Sequence, residues 1–300
     1  MITVPTVFVL GAGASQPYEF PSGNDLRLHI FERYASVQGR ANIVINTTPF
    51  GRAEIDRFIV ALRFSGFRSV DAFLERRPEF MDIGKAMMGI ELLHDEVHET
   101  LWRNDSNWLT HLFGAMVGNS LEEFADNKVS FITFNYDRTI EHFLFVSLKN
   151  AFGRSEDETA AVVRKIPIVH LHGKLGHLPW QNQKTMIEYG DNQIDARKMQ
   201  IVTSQIKVVH EELTDGRDSD FAEAKDLLGK AIKVYLMGFG FGTRNVQRLG
   251  LSDLTPTLFI GTGFGMTQRE ISSCQVMCNN RLFLHAAPCL DFLRAYADLS

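Results

Sequence analysis

The sequence predicts an α/β fold in which a parallel β-sheet is flanked by helices and carries an inserted helical subdomain. Short apolar segments, rich in β-branched and aromatic residues as buried parallel strands are, end abruptly in polar or glycine-rich sequence. Between the first two segments, residues 31–127 show helical patterns only, far more chain than the roughly dozen residues a strand–helix–strand crossover needs. We therefore expect residues 1–300 to form one domain, with residues 31–127 as its inserted helical subdomain.

Composition limits the class of ligand and the cellular setting. The 300 residues include 31 Lys and Arg against 36 Asp and Glu, a net charge of −5, and contain no long basic run. This balance argues against nucleic acid as the main ligand. No apolar run reaches the roughly 18 residues that span a bilayer, and the chain opens on a strand pattern instead of a signal peptide. We expect a cytoplasmic protein.

The three cysteines are interpreted as reduced, half-buried core residues. Cys274, Cys278 and Cys289 lie close together near the C-terminus, without the paired C-x-x-C spacing of a structural zinc site. An odd number also argues against a disulfide framework. We predict no metal site.

The first predicted strand, residues 3–10, runs into the glycine-rich segment 11–15 (GAGAS). Glycine lets backbone N–H groups approach a pyrophosphate closely, and the start of a following helix would add its positive end. Gln16 occupies the third glycine position of the G-x-G-x-x-G pattern, so a tight turn without a ligand is the alternative. The segment is one half of an expected Rossmann-like nucleotide site.

A loop is predicted next, because Pro17, Pro21 and Gly23 delay the following helix until about Asn24. Asn24 and Asp25 can cap that helix. Since the loop follows the phosphate turn directly, contact with a bound nucleotide is the other role open to both residues.

The inserted subdomain is predicted to be helical throughout. Apolar residues recur at helical spacing in residues 55–62, 70–74, 90–101 and 108–124. We expect the insert to cover the cleft or to form a subunit contact, with its aromatic residues in the core and its arginines on a solvated face.

The central predicted strand, residues 129–134, ends in Asn135-Tyr136-Asp137 before a helix over residues 138–148. Ligands of open α/β sheets bind at such carboxyl ends. If the backbone is still extended, Asn135 and Asp137 project from the same face, and two hydrogen-bonding groups converge. Capping of the following helix is the alternative role of Asp137.

A second strand, residues 166–171, ends in a histidine pair. Alternation predicts His170 and His172 on one face, and Gly173 allows the chain to turn. We interpret His172 as a functional base, because it faces another polar strand end. For His170, packing and function are equal alternatives.

Beyond this strand the sequence predicts an irregular active-site loop over residues 175–192. Two helices are expected over residues 201–213 and 221–228, separated by a charged turn at residues 215–220.

A third strand, residues 232–237, leads into a second glycine-rich turn, residues 238–245 (GFGFGTRN), suited to the far half of a dinucleotide. Strands over residues 257–260 and 281–285 and a helix over residues 290–299 complete the predicted fold.

Five motifs in this order, GAGAS, PSGNDL, TFNYD, HLHG and MGFGFGTRN, resemble those of the sirtuin-like family, in particular its bacterial branch associated with anti-phage defence. The likeness spans residues 4 to about 248. It implies that the glycine turns hold NAD, that the asparagine positions water and ribose, and that the histidine acts as base. The residues predicted for these roles are the catalytic Asn135, Asp137 and His172 and the cofactor-binding Gly11, Ala12, Gly13, Ser15, Asn24, Asp25, Gly238 and Asn245.

The resemblance departs from protein-deacylating sirtuins, which carry two C-x-x-C pairs between the histidine and the late glycine turn. Residues 173–237 contain no cysteine here. This absence argues against an acyl-lysine platform. Residues 20–25 (FPSGND) replace the Gly-Ile-Pro-type segment of sirtuins and resemble the defence branch, which implies hydrolysis of NAD, as substrate, to nicotinamide and ADP-ribose. Further copies of the chain and an ATPase of the HerA type are the implied partners. A NAD- or ADP-ribose-binding sensor without turnover and a zinc-free deacylase are the alternatives.

Overall fold

The computed structural model describes residues 1–36, 38–103, 106–208 and 219–300. In these residues six parallel strands form one sheet, in the order β3-β2-β1-β4-β5-β6. The strands are β1 (Thr6–Leu10), β2 (Val129–Thr133), β3 (Ile168–His170), β4 (Lys233–Met237), β5 (Leu258–Thr262) and β6 (Phe283–His285). The predicted α/β fold with a parallel, Rossmann-like sheet is confirmed.

Helices flank the sheet on both faces. Those before β2 are α1 (Ala12–Ser15), α2 (Gly23–Ser36), α3 (Gln38–Thr47), α4 (Arg52–Arg63), α5 (Val70–Leu74), α6 (Met81–Asp95), α7 (Thr100–Arg103), α8 (Trp108–Met116) and α9 (Leu121–Phe124). Those after β2 are α10 (Thr139–Phe152), α11 (Glu156–Val163), α12 (Ala196–Gln205), α13 (Ser219–Lys230), α14 (Thr243–Leu249), α15 (Gln268–Met277) and α16 (Cys289–Ala295).

The strands are apolar on both faces, so each face carries its own core. Phe8 points into the larger cluster and stacks between Phe131 and Tyr235, with ring centroids 5.6 and 5.1 Å away. Val7 and Val9 point into the second cluster, since strand side chains alternate between faces. The insert helices bury their apolar residues in the same cluster as Phe8, which anchors them to the sheet.

The inserted segment is helical, as predicted. Within the described part of residues 31–127, every regular element is a helix, from the end of α2 through α9. Helix α5 lies at the carboxyl edge of the sheet, where Asp71 contacts Tyr136 just beyond β2. The insert therefore contributes to that edge instead of lying remote from it.

Several element predictions were wrong in detail. Helix α1 begins directly after Gly11, where only a turn and loop were expected. Helix α11 was not predicted, although Ser155 and Glu158 form a capping box at its start. Helix α12 ends at Gln205 instead of residue 213. Residues 209–218, with most of the predicted charged turn, lie outside the described residues.

Two further expectations concern burial and membranes. Cys274, Cys278 and Cys289 are buried free thiols, so their assignment to the core is confirmed. Burial raises the pKa of Cys278 to about 11 and that of Cys289 to about 12. Across the described ranges, no helix combines the length and the apolar character required to cross a membrane.

Candidate functional site

The site lies where the strand order reverses, between β1 and β4. The chain continues from β1 to β2 on one side, while β4 pairs with β1 on the other. In open α/β sheets the crevice at such a switch point is where ligands bind. The turns that follow β1 and β4 meet here: Gly11 N–H donates to Met237 O at 3.0 Å, and Gly13 N–H donates to Gly238 O at 3.1 Å.

Main-chain contact between these turns accounts for Gly11, Gly13 and Gly238. A Cβ on Gly11 would lie 2.5 Å from Gly238 O, and one on Gly238, where φ is +58°, would lie 2.1 Å from Ala14 N. The N–H groups of Gly11 and Gly13 are used within the protein, so the predicted pyrophosphate contact through them is corrected to packing. Helix α1 is also only four residues long.

A cavity of about 550 Å³ opens above the two turns. Of the residues predicted from the sequence, it is lined by Gly11, Ala12, Ser15, Asn135, Asp137, His172 and Asn245. The predicted residues Gly13, Asn24, Asp25 and Gly238 lie outside its lining. The structure thus brings all three predicted catalytic side chains to one cavity.

The amide of Asn135 is held in a fixed orientation. Its Nδ2 donates to Gly11 O at 3.0 Å and to Ser15 Oγ at 2.9 Å. Both amide hydrogens are therefore used, and Oδ1, which bonds to no described residue, remains as an acceptor. At this position the side chain can accept a hydrogen bond from a water or a hydroxyl group.

Asp137 is part of the same network. Ser15 Oγ donates to Asp137 Oδ2 at 2.7 Å, and Thr139 N–H donates to Asp137 Oδ1 at 3.2 Å. The predicted convergence of Asn135 and Asp137 is confirmed, although β2 already ends at Thr133 and the convergence passes through Ser15. Asp137 also satisfies a free N–H at the start of α10, the capping role that the sequence left open.

His172 lies among aromatic rings. Its ring centroid is 5.3 Å from that of Phe134 and 6.4 Å from those of Tyr136 and Phe221. The side chain is buried, with 7% of the residue exposed, and it borders the cavity. An imidazole that borders a cavity is suited to exchange a proton with a water bound there.

His170 is a structural residue and does not line the cavity. Its Nδ1 lies 3.1 Å from Asn135 O, and its Nε2 lies 2.9 Å from Glu141 Oε1. Burial would raise the pKa of Glu141, but the charges of His170 and Lys174 outweigh it and hold that pKa well below its ordinary value. The predicted common face of His170 and His172 was wrong, because β3 ends at His170 and the chain then turns.

The residues before α2 cap that helix. Ser22 Oγ donates to Asp25 Oδ2 at 2.6 Å, while Asp25 N–H donates back to Ser22 Oγ at 3.2 Å. Asn24 is exposed and makes no such contact. Of the two roles considered for Asp25, the geometry matches capping.

The insert was expected to cover the cleft or to form a subunit contact, and it supplies one cavity wall, whose residues were not predicted. Asp71, Ala72 and Glu75 of the α5 region line the cavity, and Tyr136 OH donates to Asp71 Oδ1. Burial raises the pKa of Asp71, and the hydrogen bond from Tyr136 offsets this in part. No local pattern separates these acids from those of an exposed helix face, because only tertiary packing turns α5 toward the strand ends.

The irregular segment over residues 175–192 contacts Arg138, the residue next to Asp137. Arg138, fully buried, pairs with Glu96 and donates to His177 O at 3.4 Å and to Ile187 O at 2.5 Å. No residue of this segment belongs to the cavity lining, so its predicted place in the active site is corrected to a structural one.

Comparison with known proteins identifies no family. No family model matches the chain, and no curated protein matches it. Within the described residues, no group of three or more His, Cys, Asp or Glu side chains is arranged to hold a metal ion.

Proposed function

We propose that this chain is a NAD⁺ glycohydrolase that cleaves the nicotinamide–ribose bond and releases nicotinamide and ADP-ribose. One observation carries the proposal: the amide of Asn135, fixed by Gly11 and Ser15, borders the same cavity as His172 at the switch point of a Rossmann-like sheet. The resemblance of the five motifs to the sirtuin-like family supports NAD as the substrate.

Cleavage of this bond requires no general acid, but it requires precise positioning of the substrate and of one water. Cleavage of an N-glycosidic bond passes through an oxocarbenium-like state, as in glycoside hydrolysis. The pyridinium of NAD⁺ leaves as neutral nicotinamide, so its departure needs no proton. The enzyme must hold the ribose, exclude other nucleophiles and supply one oriented water.

The residues divide this work. Asn135 Oδ1 accepts a hydrogen bond from the attacking water or from a ribose hydroxyl. His172 takes the proton that the water loses as it adds to the anomeric carbon, a contribution typically of about 10²- to 10⁴-fold. Asp137 acts as a positioning residue, because both of its oxygens are already bonded, to Ser15 and to Thr139.

The wider role follows from the resemblance. We propose a cytoplasmic effector of bacterial anti-phage defence that depletes NAD. Unrestrained NAD cleavage would harm its own cell, so activity requires control, and assembly into a homo-oligomer or a separately encoded ATPase of the HerA type would supply it. The catalytic step proposed here uses no metal.

The test is nicotinamide release from NAD by the purified chain, measured beside Asn135→Ala and His172→Ala. We expect both variants to lose most turnover while they remain folded. Asn192→Ala, at an exposed asparagine outside the cavity, is the matched control and should keep full turnover. Unchanged turnover in either site variant would remove that residue from the mechanism. A parent that NAD stabilises but that releases no nicotinamide would be a NAD-binding sensor.

A further inference from the structure

An ion pair joins two walls of the cavity. Arg244 Nη1 lies 2.5 Å from Glu75 Oε2, and both residues line the cavity. Glu75 follows α5 of the insert directly, while Arg244 lies at the start of α14, within the second glycine-rich segment. The pair therefore connects the insert to the turn after β4.

Arg244 brings positive charge to a cavity whose other charged side chains include three carboxylates. Among the described residues of the lining it is the only lysine or arginine, against the carboxylates of Asp71, Glu75 and Asp137. Asp71 accepts from Tyr136 and Asp137 accepts from Ser15, whereas Glu75 is the carboxylate that pairs with Arg244. Arg244 is therefore the side-chain cation that the described lining offers to an anionic ligand.

Two main-chain donors lie beside it. The N–H groups of Gly240 and Gly242 make no hydrogen bond to any residue in the described ranges, and both glycines are exposed in the cavity lining. Phe241 between them has φ of +51°, an uncommon conformation for a residue with a side chain. Backbone donors next to a guanidinium form a suitable environment for phosphate oxygens.

We propose that Arg244 binds the diphosphate of the dinucleotide, and that Glu75 is an internal competitor which holds Arg244 until the ligand displaces it. This inference rests on the proposed function, because it assigns a role toward the same substrate. The guanidinium fork matches phosphate oxygens as well as a carboxylate, and a diphosphate offers more charge than Glu75 does.

The exposure of the pair permits this exchange. The Arg244 side chain is 58% exposed and that of Glu75 is 17% exposed. Ion pairs in contact with water contribute little net stability, so an incoming anion has little to overcome. Glu75 thereby makes binding depend on the ligand's phosphates and connects ligand entry to the position of the insert.

The experiment titrates ADP-ribose, by calorimetry, into the parent chain, Glu75→Gln, Arg244→Gln and the double variant. We expect Arg244→Gln to weaken binding about 10- to 100-fold, the range for a lost charge-assisted hydrogen bond. Glu75→Gln should tighten binding roughly two- to fivefold, the scale of a partly exposed ion pair. Adenosine, which lacks phosphate, should bind all four proteins equally.

Lys149 and Glu156 provide the matched control. They form another exposed ion pair, 2.6 Å apart, and neither lines the cavity. Lys149→Gln and Glu156→Gln remove the same charges without approaching the site, so ADP-ribose affinity should match that of the parent in both.

The double variant tests the competition itself. If Glu75 acts by holding Arg244, its removal has no effect once Arg244 is gone, and the double variant binds as Arg244→Gln does. A gain that persists without Arg244 would mean direct repulsion of the ligand and would overturn the competitor role. Equal affinity of Arg244→Gln and the parent would overturn the whole inference and leave the proposed function standing. A parent chain that binds no ADP-ribose would instead overturn the proposed function.

Discussion

The hydroxyl of Ser15 lies 2.9 Å from the amide nitrogen of Asn135 and joins two turns that are 120 residues apart in the chain. The same hydroxyl donates to Asp137, so one small side chain orients both polar groups that follow β2.

Replacement of Ser15 by Ala should therefore reduce activity without contact to the reacting atoms. Loss of the hydroxyl leaves the buried carboxylate of Asp137 without one partner, at a cost of about 1–3 kcal/mol in free energy of unfolding. In the proposed hydrolysis of NAD, kcat should fall more than KM rises, because Asn135 is no longer held while the other lining side chains are unchanged. Ser273→Ala is the control, since its exposed hydroxyl bonds only within α15, to Arg269 O. Equal kcat in Ser15→Ala and the parent would show that Asn135 needs no such support.

Gly238→Ala should disrupt the contact between the turns after β1 and β4. The added Cβ would lie 2.1 Å from Ala14 N, and φ is +58°, so steric overlap adds to backbone strain. Gly250→Ala is the matched control, because φ is +68° there and the Cβ meets open space. Strain alone costs roughly 1–2 kcal/mol. Urea denaturation should therefore place Gly238→Ala clearly below Gly250→Ala in stability; similar midpoints would contradict the close approach.

Arg138→Met should be among the most destabilising single changes in the chain. It leaves Glu96 buried without its cation, and breaking a buried ion pair in this way typically costs about 3–5 kcal/mol. Arg52→Met breaks the exposed pair of Arg52 with Asp56 and should cost less than about 1 kcal/mol. Adding Glu96→Leu to Arg138→Met should restore part of the loss, because the unpaired charge is then removed. Free energies of unfolding from urea titration decide among these outcomes.

His142 should make the fold sensitive to acid. Burial, and then the positive charges of His98 and Arg138, lower its pKa from 6.5 to about 3, against a smaller opposing effect of Glu141. Its Nε2 lies 2.8 Å from His98 Nδ1, and its ring stacks on Tyr189 at 4.1 Å.

The direction in which stability changes with pH follows from proton binding to His142 in the unfolded chain. Below pH 6.5 the unfolded chain protonates His142 while the folded chain does not, so stability is complete above that pH and falls as pH drops toward 3. The slope approaches about 1.4 kcal/mol per pH unit. His142→Gln should flatten the dependence of the urea midpoint on pH between 7.5 and 5, whereas His94→Gln, at an exposed position on α6, should not. Parallel curves for His142→Gln and the parent would refute the assignment.

The sheet and the polar strand ends could be predicted because both are local signals. A run such as residues 129–133 is apolar enough to identify a buried strand, and parallel strands bring their carboxyl ends to one edge. That geometry is sufficient to bring Asn135 and His172 to one cavity.

Other features depend on which strands become neighbours. Gly11 is packed against Gly238 only because β1 lies beside β4, so its role could not be separated from phosphate binding in the sequence. The wall formed by Asp71 and Glu75 depends in the same way on how α5 docks. The start of α11, in contrast, could have been predicted from the sequence, because the spacing of Ser155 and Glu158 is that of a capping box.

The contact of Gly11 with Gly238 has a consequence for how related chains can diverge. The surface beneath the cavity is main chain packed on main chain, and a side chain at Gly11 or Gly238 would break that contact. Lining side chains free of this constraint include Asp71 and Ala72 of α5, which belongs to the insert. Inherited variation in ligand preference should thus accumulate in the insert, while the paired turns pass from ancestor to descendant nearly unaltered.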